Sequence, residues 1–120
     1  MAGRDERRTD YGVVKIHRDV IAQVASMAAV EVSGVTRIST SIFTEALRIL
    51  SWGHTLKHPI KIEFRENNEV VIVIPIIVNY GVNIPMVAAN VQENVKRAVE
   101  KMAGLYPIEI DIKVKGVGVK

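Results

Sequence analysis

Histidines are the residues of this sequence most able to bind a metal, because the chain contains no cysteine. His54 and His58 stand four positions apart, a spacing that can hold zinc on one face of a helix when a third ligand joins. Gly53 and Pro59 bracket the pair, however, and no H-E-x-x-H carboxylate accompanies it. We therefore expect exposed loop histidines and no metal or cofactor, with a structural role for the lone His17.

Three carboxylates, Glu63, Glu109 and Asp111, are the candidates for acid–base chemistry, and each alternates with basic residues along a predicted strand. Paired-acid catalysis needs two carboxylates in a pocket that separates their pKa values, whereas this alternation predicts a solvated sheet face of mixed charge. The sequence also lacks the G-x-S-x-G elbow, the P-loop and the G-x-G-x-x-G motif. It therefore predicts a protein that is not an enzyme, without a catalytic residue or a small-molecule substrate.

The composition is that of an ordinary globular domain. Its 120 residues fit one domain, with 48% apolar and 24% charged residues. The net charge of +3 is mild and spread along the chain, the aromatic residues form no RNA-recognition pattern, and no two glycines have the G-x-x-G spacing of a KH loop. General basicity is thus the main support for the alternative of a nucleic-acid-binding module.

The sequence shows no signal for export or for a membrane span. Residues 1–10 are charged and lack the apolar region of a secretory signal, so we expect a flexible charged tail. The longest apolar run, residues 70–78, has nine residues, whereas a spanning helix needs about 20. We expect a cytoplasmic protein that could be peripheral at the membrane through a partner.

The first half of the domain has the pattern strand, helix, strand. Strands are predicted at 13–16 and 35–39, with a helix at 18–32 between them and Gly34 able to adopt a left-handed cap conformation. Residues 40–58 are predicted to be a variable connection. Apolar residues of the helix recur at i, i+4 and i+8, as expected for one buried stripe: Val20, Ile21, Val24, Ala25, Ala28 and Val32.

The second half begins with the clearest strand signal. Ile60, Ile62 and Phe64 alternate with charged residues, and a turn at 66–69 leads into a long strand at 70–80, which predicts a hairpin.

A second helix follows this hairpin. Asn83 is suited to cap it, Pro85 fits its first turn, and Gly104 ends it. The last strand, at 107–115, alternates Ile108, Ile110, Ile112 and Val114 inward with charged residues outward. The apolar stripe of the second helix is Ile84, Val87, Ala88, Val91, Val95, Ala98, Val99 and Met102.

The order β-α-β-β-β-α-β predicts an α+β fold. Two helices with one apolar stripe each can cover one face of a mixed sheet of about five strands, which gives a two-layer sandwich. We expect a single domain over residues 11–116, followed by a short C-terminal tail at 117–120.

The long strand carries more apolar surface than one layer of helices can cover. On the open face we expect Val71, Val73 and Ile77, or the residues that alternate with them, to lie among Lys and Glu. Two interpretations stay open: long Lys and Arg side chains cover them, or they form a contact surface for self-association or a partner. Pro75 adds a difficulty, because proline inside a strand indicates an edge or a bulge.

Three stretches resemble a known family: residues 12–35, the N-Y-G-V-N-I-P turn at 79–85, and V-A-A-N-V-Q-E-N-V-K-R-A-V-E-K-M-A-G-L at 87–105 with the strand after it. Together they are similar to the alkaline-shock, or envelope-stress-response, family of Gram-positive bacteria. The resemblance covers most of the chain apart from the N-terminal tail and residues 40–58, which are more apolar than the linker expected there.

The resemblance implies a small cytoplasmic protein without enzyme activity that acts in cell-envelope homeostasis through protein contacts. It implies a protein partner, which could be a separate membrane anchor protein, and self-association. A regulatory partner of a cytoplasmic, lipid-metabolic enzyme is the alternative of a different class.

Within the turn, Gly81 allows the bend between strand and helix. Either the motif only makes the fold, or Tyr80 and the helix start at Asn83 dock a partner's anionic group.

Overall fold

The computed structural model describes residues 6–40 and 59–118. The predicted connection therefore lies outside the described residues, apart from Thr40, and so do His54 and His58. The described elements are β1 (Glu6–Thr9), β2 (Gly12–Lys15), α1 (Arg18–Val30), β3 (Val35–Ile38), β4 (Lys61–Phe64), a single 3-10 turn (Glu66–Asn68), β5 (Glu69–Asn79), α2 (Ile84–Ala103) and β6 (Tyr106–Gly118).

The α+β class, with two helices and a mixed sheet, is confirmed, but the sheet has four strands instead of about five. The difference lies in β2, which pairs with β1 in a separate antiparallel hairpin. Residues 6–9 thus form a strand where the sequence predicts a tail. All four β2 residues are exposed. Val13 and Val14 are adjacent, so their side chains point to opposite sides of the strand. The strand offers no one-sided apolar face to the core.

Strand β5 is the centre of the main sheet. Strand β6 runs parallel to it along one edge for its whole length. The other edge is shared: β3 pairs antiparallel with the Ile76–Val78 end of β5, and β4 with the Val70–Val73 end. The predicted hairpin between β4 and β5 is confirmed, and its turn holds Asn67 and Asn68 at positive φ.

Pro75 lies in the interior of β5, at the gap between β3 and β4. Its carbonyl accepts a hydrogen bond from the Ser39 backbone N–H at 2.9 Å. In a strand the nitrogen and carbonyl of one residue face the same side, so the Pro75 nitrogen points toward Ser39, beyond the end of β3, and away from β6. The missing N–H therefore leaves the β5–β6 ladder intact, which explains how a central strand tolerates proline.

The core lies between the sheet and a single layer of helices. Alternate residues of β5 are completely buried beneath the helices: Val70, Ile72, Ile74, Ile76 and Val78. The matching helix residues are Ile21, Ala22, Ala25, Ala28 and Ala29 of α1 and Val87, Val91, Val95, Val99 and Ala103 of α2.

The helix boundaries and stripes differ from the prediction in places. Helix α1 ends at Val30, and Gly34, with φ +103°, shapes the turn into β3 instead of capping the helix. Val20 and Met102 are exposed, because each lies to one side of the residues that face β5. Gly104 ends α2 as predicted, and it does so in the left-handed conformation.

Strand β6 continues past its predicted end. Gly116, Val117 and Gly118 pair with Ile77, Val78 and Asn79, so the expected tail is sheet as far as Gly118. Register shifts interrupt the β5–β6 pairing near each end. The first falls at Ile108, which is exposed where the alternation predicts an inward side chain, because a bulge breaks the period-two pattern.

Candidate interaction surfaces

The turn that joins β5 to α2 is anchored to two other parts of the chain. The backbone N–H of Asn79 donates to the Gly34 carbonyl at 2.8 Å, and that of Tyr80 donates to the Gly118 carbonyl at 2.9 Å. The Thr36 hydroxyl also donates to Asn79 Oδ1. We call residues 79–86 the Tyr80 corner; the ends of β5 and β6 and the turn before β3 meet there.

Asn83 has the predicted role of helix cap. Its Oδ1 accepts a hydrogen bond from the Met86 N–H at 3.1 Å, and its carbonyl accepts from the Val87 N–H at 3.0 Å. Pro85 lies in the first turn and has no N–H to offer. Because these groups are already satisfied, the start of α2 has little left to offer an anion, which favours the structural reading of Asn83.

The Tyr80 side chain itself is unusually open. It is 80% exposed, although it follows the most deeply buried strand of the protein. Gly81, with φ +90°, turns the chain immediately after it. Ile84 and Met86 are exposed on the first turn of α2, so the corner presents apolar side chains on a rigid backbone. Rigid, exposed aromatic residues are common anchors in protein interfaces.

The open face of the sheet carries the second set of predicted contact residues. Val71 is only 8% exposed, while Val73 and Ile77 are half-buried. Charged neighbours flank them: Glu63 lies opposite Val71 and Lys61 lies opposite Val73 in β4. The stripe is therefore one strand wide and has charged residues beside it on β4.

The three carboxylates that are candidates for acid–base chemistry also lie on this face, and they do not form a catalytic pair. Glu63 and Glu109 pair with Val71 from opposite sides, so two strand spacings, about 10 Å, lie between their backbones. Glu63 forms an ion pair with Arg65 at 3.3 Å, and Asp111 forms one with Lys113 at 3.4 Å. These exposed pairs make the mixed-charge surface that the alternation predicts. Among the described residues no cluster of three or more His, Asp or Glu side chains could hold a metal.

His17 is at the N-cap position of α1, but its side chain makes no capping hydrogen bond.

A polar clamp between the helices was missed from the sequence. Asn94 of α2 donates from Nδ2 to the Ala28 carbonyl of α1 at 2.7 Å and approaches Glu31 Oε1 at 3.3 Å. It borders a shallow groove that Arg97 and Glu93 also line. The sequence feature that could have indicated this contact is the position of Asn94, three residues after Val91 and at the edge of the apolar stripe.

The chain belongs to the alkaline shock protein 23 family, a family of cell envelope-related function, and the match spans residues 6–119. It is 35% identical to the uncharacterized protein YloU of Bacillus subtilis, over 95% of both chains. It is also 32% identical to YqhY of the same organism, over 94% of this chain and 82% of that protein. No solved structure matches this chain.

Within the described residues, no helix is long and apolar enough to cross a membrane.

Proposed function

We propose that this protein acts in cell-envelope homeostasis and the envelope stress response as a non-enzymatic interaction protein. Membership of a family with a cell envelope-related function supports the proposed role at the cell envelope. The exposed aromatic side chain of the Tyr80 corner supports action through protein contacts, since it offers a partner a rigid apolar anchor. The partner we propose is a membrane anchor protein, which would hold the chain at the membrane from the cytoplasmic side.

The corner suits docking because its backbone is hydrogen-bonded to the turn before β3 and to the end of β6, and the Asn79 side chain to β3, before any partner arrives. A preorganised anchor loses little conformational entropy on binding. The cap at Asn83 fixes where Tyr80 stands relative to Ile84 and Met86.

A pull-down of tagged protein from membrane and soluble fractions tests this proposal. We expect wild-type protein to recover an envelope or membrane-anchor protein, and Tyr80→Ala to reduce that recovery by about tenfold, the loss typical of one interface anchor. Tyr11→Ala is the matched control, because Tyr11 is fully exposed in the β1–β2 hairpin.

Recovery of a soluble lipid-metabolic enzyme instead would favour the regulatory alternative. Recovery of nuclease-sensitive ribonucleoprotein would favour nucleic-acid binding. Equal recovery by wild-type and Tyr80→Ala protein would rule out the corner as the docking site.

A further inference from the structure

Strand β6 is a long strand at the edge of the main sheet. It has 13 residues and pairs with β5 on one side. In the described part of the chain no strand pairs with its other side. An unpaired edge is a template for a further strand, so the question is which strand it fits.

The charges of β6 have an unusual order. From Glu109 to Lys115 the sequence is E-I-D-I-K-V-K, with acidic residues before Ile112 and basic residues after it. Asp111 and Lys113 both lie on the open face and form an ion pair at 3.4 Å. If a second copy of this strand runs in the opposite direction, its basic residues therefore lie opposite the acidic residues of the first copy, with Ile112 at the centre.

We propose that β6 pairs antiparallel with β6 of a second copy, with the two Ile112 residues opposite each other. Residues directly opposite in an antiparallel pair share one face of the sheet. In this register Asp111 faces Lys113 of the second copy on the open face, and Ile110 faces Val114 of the second copy on the helix face. Glu109 approaches Lys115 of the second copy at the end of the pairing.

Other registers lack this match. A shift of the second copy by two positions places Asp111 against Asp111, or Lys113 against Lys113. A slip of one position places charged residues opposite apolar ones and reverses the faces of one sheet. Parallel pairing in register sets like charges side by side. The charge order thus selects one arrangement, which is the argument for a second copy as the occupant.

The proposed pairing joins the two four-stranded sheets into one continuous sheet, with all helices on the same face. It is also short. The β5–β6 register is unbroken from Glu109 to Val114 and shifts beyond each end. Gln92 of α2 donates to the Ile110 carbonyl at 2.8 Å, so one backbone group of the strand already has a side-chain partner. A short interface predicts weak, concentration-dependent dimers.

Sedimentation velocity on the full chain tests the proposal, over about 1 μM to 1 mM, the range in which small interfaces dissociate. We expect wild-type protein to shift from monomer to dimer. Asp111→Lys and Lys113→Asp should each weaken dimerisation by at least about tenfold, because each places like charges opposite one another. Lys96→Glu, on the exposed side of α2, is the charge-matched control and should dimerise normally.

Mixing is the decisive step. An equimolar mixture of Asp111→Lys and Lys113→Asp proteins should form a heterodimer, since each altered side chain then faces the opposite charge. Circular dichroism establishes that both variants are folded. A wild-type protein that stays monomeric, variants that dimerise like wild type, or a mixture that stays monomeric would each overturn the proposal.

Cysteine cross-linking tests the register independently, because the chain has no cysteine of its own. A mixture of Asp111→Cys and Lys113→Cys proteins should give a disulfide-linked heterodimer on mild oxidation, as opposite residues are close enough to bridge. Lys96→Cys mixed with Lys113→Cys should not. Equal cross-linking in both mixtures would contradict the register.

Discussion

At the scale of single residues, two positions outside the apolar core help to set how the helices pack. Asn94 ties α2 to the Ala28 carbonyl of α1, and Gly34 makes room for Val87. Sequence periodicity finds apolar stripes but is insensitive to both, because one is polar and the other has no side chain.

We expect Asn94→Ala to lower the free energy of unfolding by about 1–2 kcal/mol, because a half-buried carbonyl loses its hydrogen-bond donor. Urea denaturation measures this difference. Asn90→Ala is the control, since Asn90 is an exposed asparagine of the same helix. Equal effects of the two substitutions would show that helix propensity, and not the clamp, is responsible.

Gly34→Ala should destabilise the protein more than Gly81→Ala. Both glycines have positive φ, at +103° and +90°, but an added Cβ at Gly34 would lie 2.7 Å from Val87 Cγ2, whereas Gly81 has nothing within 4 Å. Both substitutions incur the backbone strain of about 1–2 kcal/mol, and Gly34→Ala adds an overpacking cost of about 1–3 kcal/mol. Thermal denaturation of the pair checks the order.

At the scale of elements, α2 is the best defined by local signals. Asn83, Pro85 and Gly104 mark its two ends, and the valines four residues apart from Val87 to Val99 form its buried face. These are interactions within one segment, so they were predictable. Helix α1 has no side-chain cap at its start and no glycine at its C-cap, which is Glu31, so the sequence alone places its end two residues too late.

Substitution of the α2 cap should have a defined cost. Asn83→Ala is expected to lower stability by about 1 kcal/mol, while Asn83→Ser should retain most of it, because serine can accept the same Met86 N–H. Chemical denaturation of both variants measures the contrast. An alanine variant as stable as the serine variant would mean that the side-chain bond contributes little.

At the scale of the whole molecule, the β1–β2 hairpin lies apart from the main sheet. Its described side chains, from Thr9 to Lys15, are exposed, whereas Ile16 packs against the core. An isolated two-stranded hairpin is at best marginally stable, so it adds little to the domain. A chain that starts at Ile16 should unfold within about 0.5 kcal/mol of the full chain. A larger loss in calorimetry would show that the hairpin supports the core.

The sequence by itself determined the α+β class, the order of elements from β2 onward, the β4–β5 hairpin and both ends of α2, because these follow from local periodicity and capping. It also predicted that Tyr80 is exposed and that Asn83 caps its helix.

Only the tertiary structure decided which strands pair. The separation of β2 from the sheet, the sharing of one β5 edge by β3 and β4, and the register shifts along β6 depend on contacts between distant segments. Alternation of apolar residues specifies which face of a strand is buried but not its neighbour. The tolerance of Pro75 and the unpaired edge of β6 are consequences of that pairing.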